Sequence, residues 1–252
     1  MTIPAAGPFE SYVNPDLGVL EIHGYTGSAD EFSYLNQILD REGISYYALL
    51  LPGHGTVVTD LNNVSVADLI TAVDEAYQKI ASKCKKVIIC ATSAGCCLSL
   101  HLLVNKKIKV VGVIWLAPWF KIKNSFAFYL KFINPVVAIF RDTLPKIYQR
   151  KVKMNPGLHP YYEVLPAKGL QRVKALLKIK TLLKKVKANI LLMYSTKEYI
   201  VSEHVGEFVQ KNINSAAQLQ SVVLDSKYHV FIKHDGKEVA LQKIVEFIKS
   251  CK

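Results

Sequence analysis

Short apolar runs alternate with stretches of helical period along most of the chain. Val19 to Ile22, Ser45 to Leu51, Val87 to Cys90, Val110 to Leu116, Asn189 to Tyr194 and Gln218 to Leu224 each read as a strand. Most are apolar along their length, as strands covered on both faces are. Helical patterns lie between them: from Ser28 or Asp30 to about Glu42, from Val66 to Ser82 behind the capping residue Ser65, at about 202–213, and at about 236–250. Pro52-Gly53-His54-Gly55 marks a tight turn. This alternation predicts an α/β fold, a mostly parallel sheet with helices on both faces. The rhythm breaks after Pro118. Residues 119–166 are helical in pattern but carry prolines at 135, 145, 156, 160 and 166. We read them as a helical lid inserted between two parts of one core, 1–118 and 167–252. Lys168 to Lys185 reads as the crossover helix that returns to the sheet.

Length and composition fit this picture. The chain has 252 residues, half of them hydrophobic, enough for one core with an insertion. Met1 to Glu10 has neither a basic start nor an apolar run, so no signal peptide is expected. The apolar windows near 108–120 and 125–140 are interrupted or too short for a membrane span. Five cysteines, three of them in the apolar stretch around residue 93, fit reduced thiols in a cytoplasmic protein. No Cys/His spacing suggests a metal, and no cofactor is expected. The net charge of +12 is unevenly spread: between 121 and 187 there are 16 basic and 2 acidic side chains. A locally basic surface of this kind suits an anionic membrane surface or anionic substrates better than nucleic acid, because no nucleic-acid module is recognisable.

The chemistry centres on Ala91-Thr92-Ser93-Ala94-Gly95. A strand runs into it and a buried helix leaves it, with one serine between small residues. That is the layout of a nucleophile elbow, in which a strained turn pushes a serine Oγ above the sheet. Ala91 stands where glycine is usual. A serine nucleophile needs a histidine base and an acid to orient it. Of the downstream histidines, 101 lies inside a helix, 159 in the lid, 204 early in a helix and 234 near the start of the last helix. His229 follows the last strand by a short loop and suits the base. For the acid, Glu198 comes after the preceding strand, while Glu203 and Asp225 are alternatives. Two backbone amides must stabilise the oxyanion. Ala94 at a helix start and Tyr25 in the loop after the first strand are the candidates. His23 is read as a brace of that loop.

With His23-Gly24-Tyr25-Thr26-Gly27-Ser28, Leu51-Pro52-Gly53-His54-Gly55, the Ser93 elbow and His229 in this order, the chain resembles the α/β-hydrolases. It is most similar to their small carboxylesterase and monoacylglycerol lipase branch, over about Gly18 to Lys249. The resemblance implies the α/β-hydrolase fold, a Ser93–Glu198–His229 triad, and an oxyanion hole from Tyr25 and Ala94. Three positions depart from the branch: Ala91 and Cys96 replace common glycines, and Glu198 stands where Asp is usual, after Lys197.

The expected activity is hydrolysis of carboxylic esters, short to medium acyl or monoacylglycerol-like, through an acyl-serine. Trp119, Phe120, Phe126 and Tyr129 are the expected pocket residues. Partners would be a small acyl ester and an anionic membrane surface, with the oligomeric state left open. The competing expectations are a thioesterase or lysophospholipase, or a non-catalytic ligand- or protein-binding module on the same fold.

Overall fold

The computed structural model describes residues 6–56, 58–105, 110–125, 169–234 and 236–251. Among these, seven strands form a single sheet: β1 (Phe9–Ser11), β2 (Leu17–Ile22), β3 (Ser45–Leu49), β4 (Lys86–Thr92), β5 (Val110–Leu116), β6 (Asn189–Ser195) and β7 (Gln218–Leu224). Their order is β1-β3-β2-β4-β5-β6-β7. All neighbours are parallel except β1, which runs antiparallel to β3 with Phe9 opposite Ala48. The central strands are buried on both sides; Val19, Leu20, Ile22, Ile88, Ile89, Val113, Ile114 and Trp115 are fully covered.

Helices cover both faces. On one side α3 (Val66–Ala81), α4 (Ala94–Asn105) and α5 (Gly169–Ile179) pack together. On the other lie α1 (Ser33–Arg41) and α7 (Lys237–Ser250), joined at their ends by an ion pair between Lys249 and Glu42 at 2.6 Å. The remaining helices among the described residues are α2 (Val58–Asn62), a single short turn, and α6 (Val205–Asn212) beside β6. The sequence pattern explains α3 directly. Ser65 Oγ accepts the Asp68 amide at 3.1 Å and the Asp68 carboxylate accepts the Ser65 amide at 2.8 Å, a reciprocal cap. Leu69, Val73, Ala76, Tyr77 and Ile80 then fall on one buried face. Each such aliphatic side chain contributes about 1.5–3 kcal/mol on burial.

Two elements had no counterpart in the hydrophobic pattern. β1 is three residues long and α2 five, both too short to show a repeating apolar pattern. The stretch after Ser28 is also split: a 3-10 turn over Ala29–Phe32 precedes α1. Of the expected lid, only 119–125 falls among the described residues. That leaves Phe126, Tyr129 and His159 outside them. No helix of the described residues is long and apolar enough to cross a membrane.

Candidate active site

β4 ends at Thr92 and α4 begins at Ala94, leaving Ser93 as the single link, with φ +56°. A left-handed backbone is unfavourable for a serine and is held here by tertiary contacts. The Ser93 amide donates to Leu116 O at 2.8 Å, and Ser93 O accepts from the Cys96 amide (3.2 Å) and the Trp119 amide (3.3 Å). Strand and helix approach closely. A Cβ on Gly95 would lie 2.7 Å from His23 O and nearer still to Ile22 O, so only glycine fits. Ala91 is accommodated with its side chain fully buried. Cys96 is turned to use: its thiol donates to Ala91 O at 3.1 Å. Cys97, buried as the fourth residue of α4, has its thiol pushed up to about 12 by desolvation and is no reactive group.

His229 arrives on the loop after β7, and its Nε2 lies 2.8 Å from Ser93 Oγ. Its Nδ1 stands 3.3 Å from Glu198 Oε1, off the line of a hydrogen bond. All three side chains are buried. Glu198 is held by its own loop, accepting the Ile200 amide at 2.6 Å and the Val201 amide at 2.5 Å. The longer carboxylate thus folds back on the two residues that follow it. The other two acids considered lie elsewhere. Glu203 is half exposed and pairs with Lys123 at 3.5 Å, and Asp225 is exposed and pairs with Lys197 at 2.6 Å. Lys197 therefore points to the surface and away from His229. Ser195 clasps the two loops: its hydroxyl donates to Ser226 O and accepts the amides of Lys197 (3.1 Å) and Ser226 (3.2 Å). A serine at a strand end carries no such signal in sequence. A second tie joins the start of the expected lid to the Glu198 loop. Lys123 N donates to Ile200 O at 2.8 Å and Ser202 N to Lys121 O at 2.9 Å, around the bridge between Ile122 and Val201.

The loop after β2 lies across the elbow. His23 Nε2 accepts the Leu51 amide at 3.0 Å, so Nδ1 carries the proton and donates to Gly24 O at 2.8 Å. His54 repeats the arrangement, with Nε2 accepting from the Thr26 amide at 3.0 Å and Nδ1 donating to Pro52 O at 2.9 Å. Burial pushes His54 down to about 4, which keeps the ring neutral and able to accept. Gly24, Thr26 and Gly27 donate to Glu31, His54 and Gly24 O respectively. Among the described residues, no hydrogen bond takes the amide of Tyr25 or of Ala94, the first residue of α4. The Tyr25 ring packs on Trp119 (6.4 Å) and His54 (5.7 Å), and its hydroxyl is 3.5 Å from the buried Arg172 guanidinium. Phe120 points elsewhere: it is fully buried with its edge on Trp115 at 4.9 Å, in the core.

The family model described as serine aminopeptidase, S33, matches residues 14–235. The chain belongs to this family. It is an α/β-hydrolase, and its sheet order and elbow are those of the fold. It is 23% identical to a thermostable monoacylglycerol lipase of Bacillus sp. (strain H-257), over 97% of this chain and 95% of the relative. Among solved structures it resembles one reported for the metagenome-derived lipolytic enzymes LipS and LipT (TM-score 0.80, 20% identity, 99% of this chain and 100% of that one). It also resembles the Paleococcus ferrophilus monoacylglycerol lipase (TM-score 0.71, 17% identity, 98% and 100%). A third likeness is to a soluble variant of the Saccharomyces cerevisiae monoglyceride lipase in complex with a substrate analog (TM-score 0.67, 14% identity, 96% and 89%).

One feature of this α/β-hydrolase site has no signal in the sequence. Glu31, in the 3-10 turn between Ala29 and Phe32, is buried behind the loop that carries Tyr25. Its Oε2 accepts the Gly24 amide at 3.1 Å, and its Oε1 has no hydrogen-bond partner among the described residues. Desolvation pushes this carboxyl up to about 7, against the pull of the Gly24 amide, His229 and Lys233. In sequence it reads as an ordinary acid in the first turn of a helix.

Proposed function

We propose that this α/β-hydrolase cleaves carboxylic esters through an acyl-serine, with Ser93 as nucleophile, His229 as base and Glu198 as the acid that orients it. The observation that carries the reading is the 2.8 Å approach of His229 Nε2 to Ser93 Oγ at a serine held with φ +56°. As Ser93 Oγ bonds to the ester carbon, its proton passes to His229 Nε2. The carbonyl oxygen gains the negative charge, and the amides of Tyr25 and Ala94 receive it. Collapse of the adduct breaks the bond to the alcohol, which leaves with the proton from His229. Water then repeats the sequence and frees the carboxylic acid. The Glu198 carboxylate beside Nδ1 stabilises the imidazolium that forms twice in the cycle.

Glycerol monoesters of fatty acids, or simple esters of short to medium acyl length, are the substrates we propose. Two supports bear on this. Three of the four proteins named above are monoacylglycerol or monoglyceride lipases, and the Tyr25–Trp119 ring pair, tied to Ser93 O through the Trp119 amide, offers an apolar aromatic wall. Residues 119–166 would supply the rest of that wall as a lid between the two core parts, with Phe126 and Tyr129 lining it. The basic excess between 121 and 187 would draw the entrance toward an anionic lipid surface. The test is hydrolysis of 4-nitrophenyl esters of increasing chain length by the wild type and by Ser93→Ala, with fluorophosphonate labelling as a second readout. Loss of a triad serine costs on the order of 10⁶ in turnover. Full activity or undiminished labelling in a pure Ser93→Ala sample would end the proposal.

A further inference from the structure

We propose that Glu31 is a positioning residue for the oxyanion loop, acting through its hydrogen bond to the Gly24 amide. The inference rests on the acyl-serine reading, because it concerns where the Tyr25 N–H points when the oxyanion forms. Its basis is the pattern of bonds along the loop. The amide before Tyr25 is held by a carboxyl oxygen at 3.1 Å and the amide after it by the His54 ring at 3.0 Å. Both groups come from outside the loop, from the turn before α1 and from the loop after β3. The peptide carrying the Tyr25 N–H is thus fixed from both ends, and that amide is left without an internal acceptor.

Core packing gives no reason for an acid at this position. Phe32 next to it and Ala29 two residues before it are fully buried and apolar, and a buried carboxyl with one oxygen unsatisfied is costly to the fold. The carboxyl is also close to the reacting atoms. The point that a Cβ on Gly24 would occupy lies 3.6 Å from Glu31 Oε1, 3.6 Å from Ser93 Oγ and 3.1 Å from Ser93 Cβ. Gly24 therefore separates the carboxyl from the nucleophile by a single backbone unit, and any side chain there would press on Ser93. Gly27 is restricted in the same way, because a Cβ on it would overlap the Glu31 carboxyl. The titratable and charged groups that face Glu31 are His229 from the loop after β7, Lys233 from the 3-10 turn Phe231–Lys233, and Asp30 beside it. Lys233 is itself tied to Asp30 at 2.9 Å and to Ser33 at 2.8 Å. The Lys233 cation steadies an acid at a place where the fold gains nothing else from one.

Such a role acts on the transition state. The donors of an oxyanion hole bond more strongly to the developing charge than to the substrate carbonyl, so a displaced Tyr25 amide lowers kcat more than it raises KM. The experiment compares Glu31→Met with Glu31→Gln in the full chain. Both side chains are uncharged and similar in length, and they differ in the oxygen that can accept the Gly24 amide. On 4-nitrophenyl butyrate, Glu31→Met is expected to lose about 10–100-fold in kcat with KM within roughly threefold, and Glu31→Gln to stay within roughly threefold of wild type in both. Amide hydrogen exchange over residues 23–27 should rise about tenfold in Glu31→Met and stay near wild type in Glu31→Gln. Equal kinetics and equal exchange in the two variants would overturn the proposal, because the acceptor would then do nothing. If the wild type hydrolysed no ester, the acyl-serine reading would fail on that result alone. The exchange comparison would still decide whether Glu31 holds the loop.

Discussion

Replacing Glu31 by Gln should stabilise the protein by an amount that grows with pH. The buried carboxyl is raised from 4.5 to about 7 by desolvation. A group raised on folding binds its proton more tightly in the native state. Its contribution is therefore most favourable below the unfolded value and is lost as pH climbs through the folded one. Between pH 4.5 and 7 the unfolded chain gives up the proton while the native chain keeps it, and each pH unit then costs about 1.4 kcal/mol. Across the full shift the native state forfeits about 3 kcal/mol, of which about 2–3 kcal/mol falls between pH 5 and pH 8. Gln has no proton to lose and keeps an oxygen for the Gly24 amide. Urea denaturation of wild type and Glu31→Gln at pH 5 and pH 8 measures the difference directly, since titrations elsewhere cancel between the two proteins. The gap should widen by about 2–3 kcal/mol, or roughly 5–10 °C in melting temperature for a chain of this size. A gap that is the same at both pH values would show that the carboxyl is not raised, and that Oε1 finds a partner in solution.

Glu198→Gln should lower kcat by about 10²–10⁴ with KM little changed, because the charge beside His229 Nδ1 is lost while the side-chain shape remains; kinetics equal to wild type would remove Glu198 from the role. His229→Ala should be nearly as damaging as Ser93→Ala in the same ester assay, and an inactive His234→Ala beside an active His229→Ala would reverse the assignment. Gly95→Ala should yield little soluble protein or a melting temperature lowered by many degrees, since the added methyl meets the His23 and Ile22 carbonyls. Charge reversal at Lys121 and Lys131 should weaken binding to anionic vesicles at low salt and leave short-chain ester hydrolysis unchanged. Equal co-sedimentation with anionic and zwitterionic vesicles, without salt dependence, would dismiss the surface role.

Much of this molecule was legible in one dimension because its signals are local. Buried parallel strands write themselves as apolar runs, and α3 announces its start with Ser65 and Asp68 and its buried face with a helical repeat. The small residues around Ser93 mark a tight strand-to-helix turn, although the crowding that requires Gly95 comes from Ile22 and His23 at the end of the neighbouring β2. Position along the chain was enough to single out His229 as the base candidate after the last strand. The choice of acid was not local. Glu198, Glu203 and Asp225 all sit in loops at the same end of the sheet, and the side chain that reaches His229 depends on how the loop after β6 folds back on its own amides. Lys123 and Lys197 draw the other two acids out to the surface. Phe120 and Trp119 are adjacent in sequence yet part ways in the turn that follows β5, one into the core against Trp115 and the other toward Tyr25. Glu31 is the furthest from sequence reasoning. As an acid in a first helical turn it is typical of a solvated position, and its burial exists only once β2, the elbow and the His229 loop close around it. Burial and the resulting shift in its charge are properties of what surrounds a side chain, and that is decided by the tertiary structure.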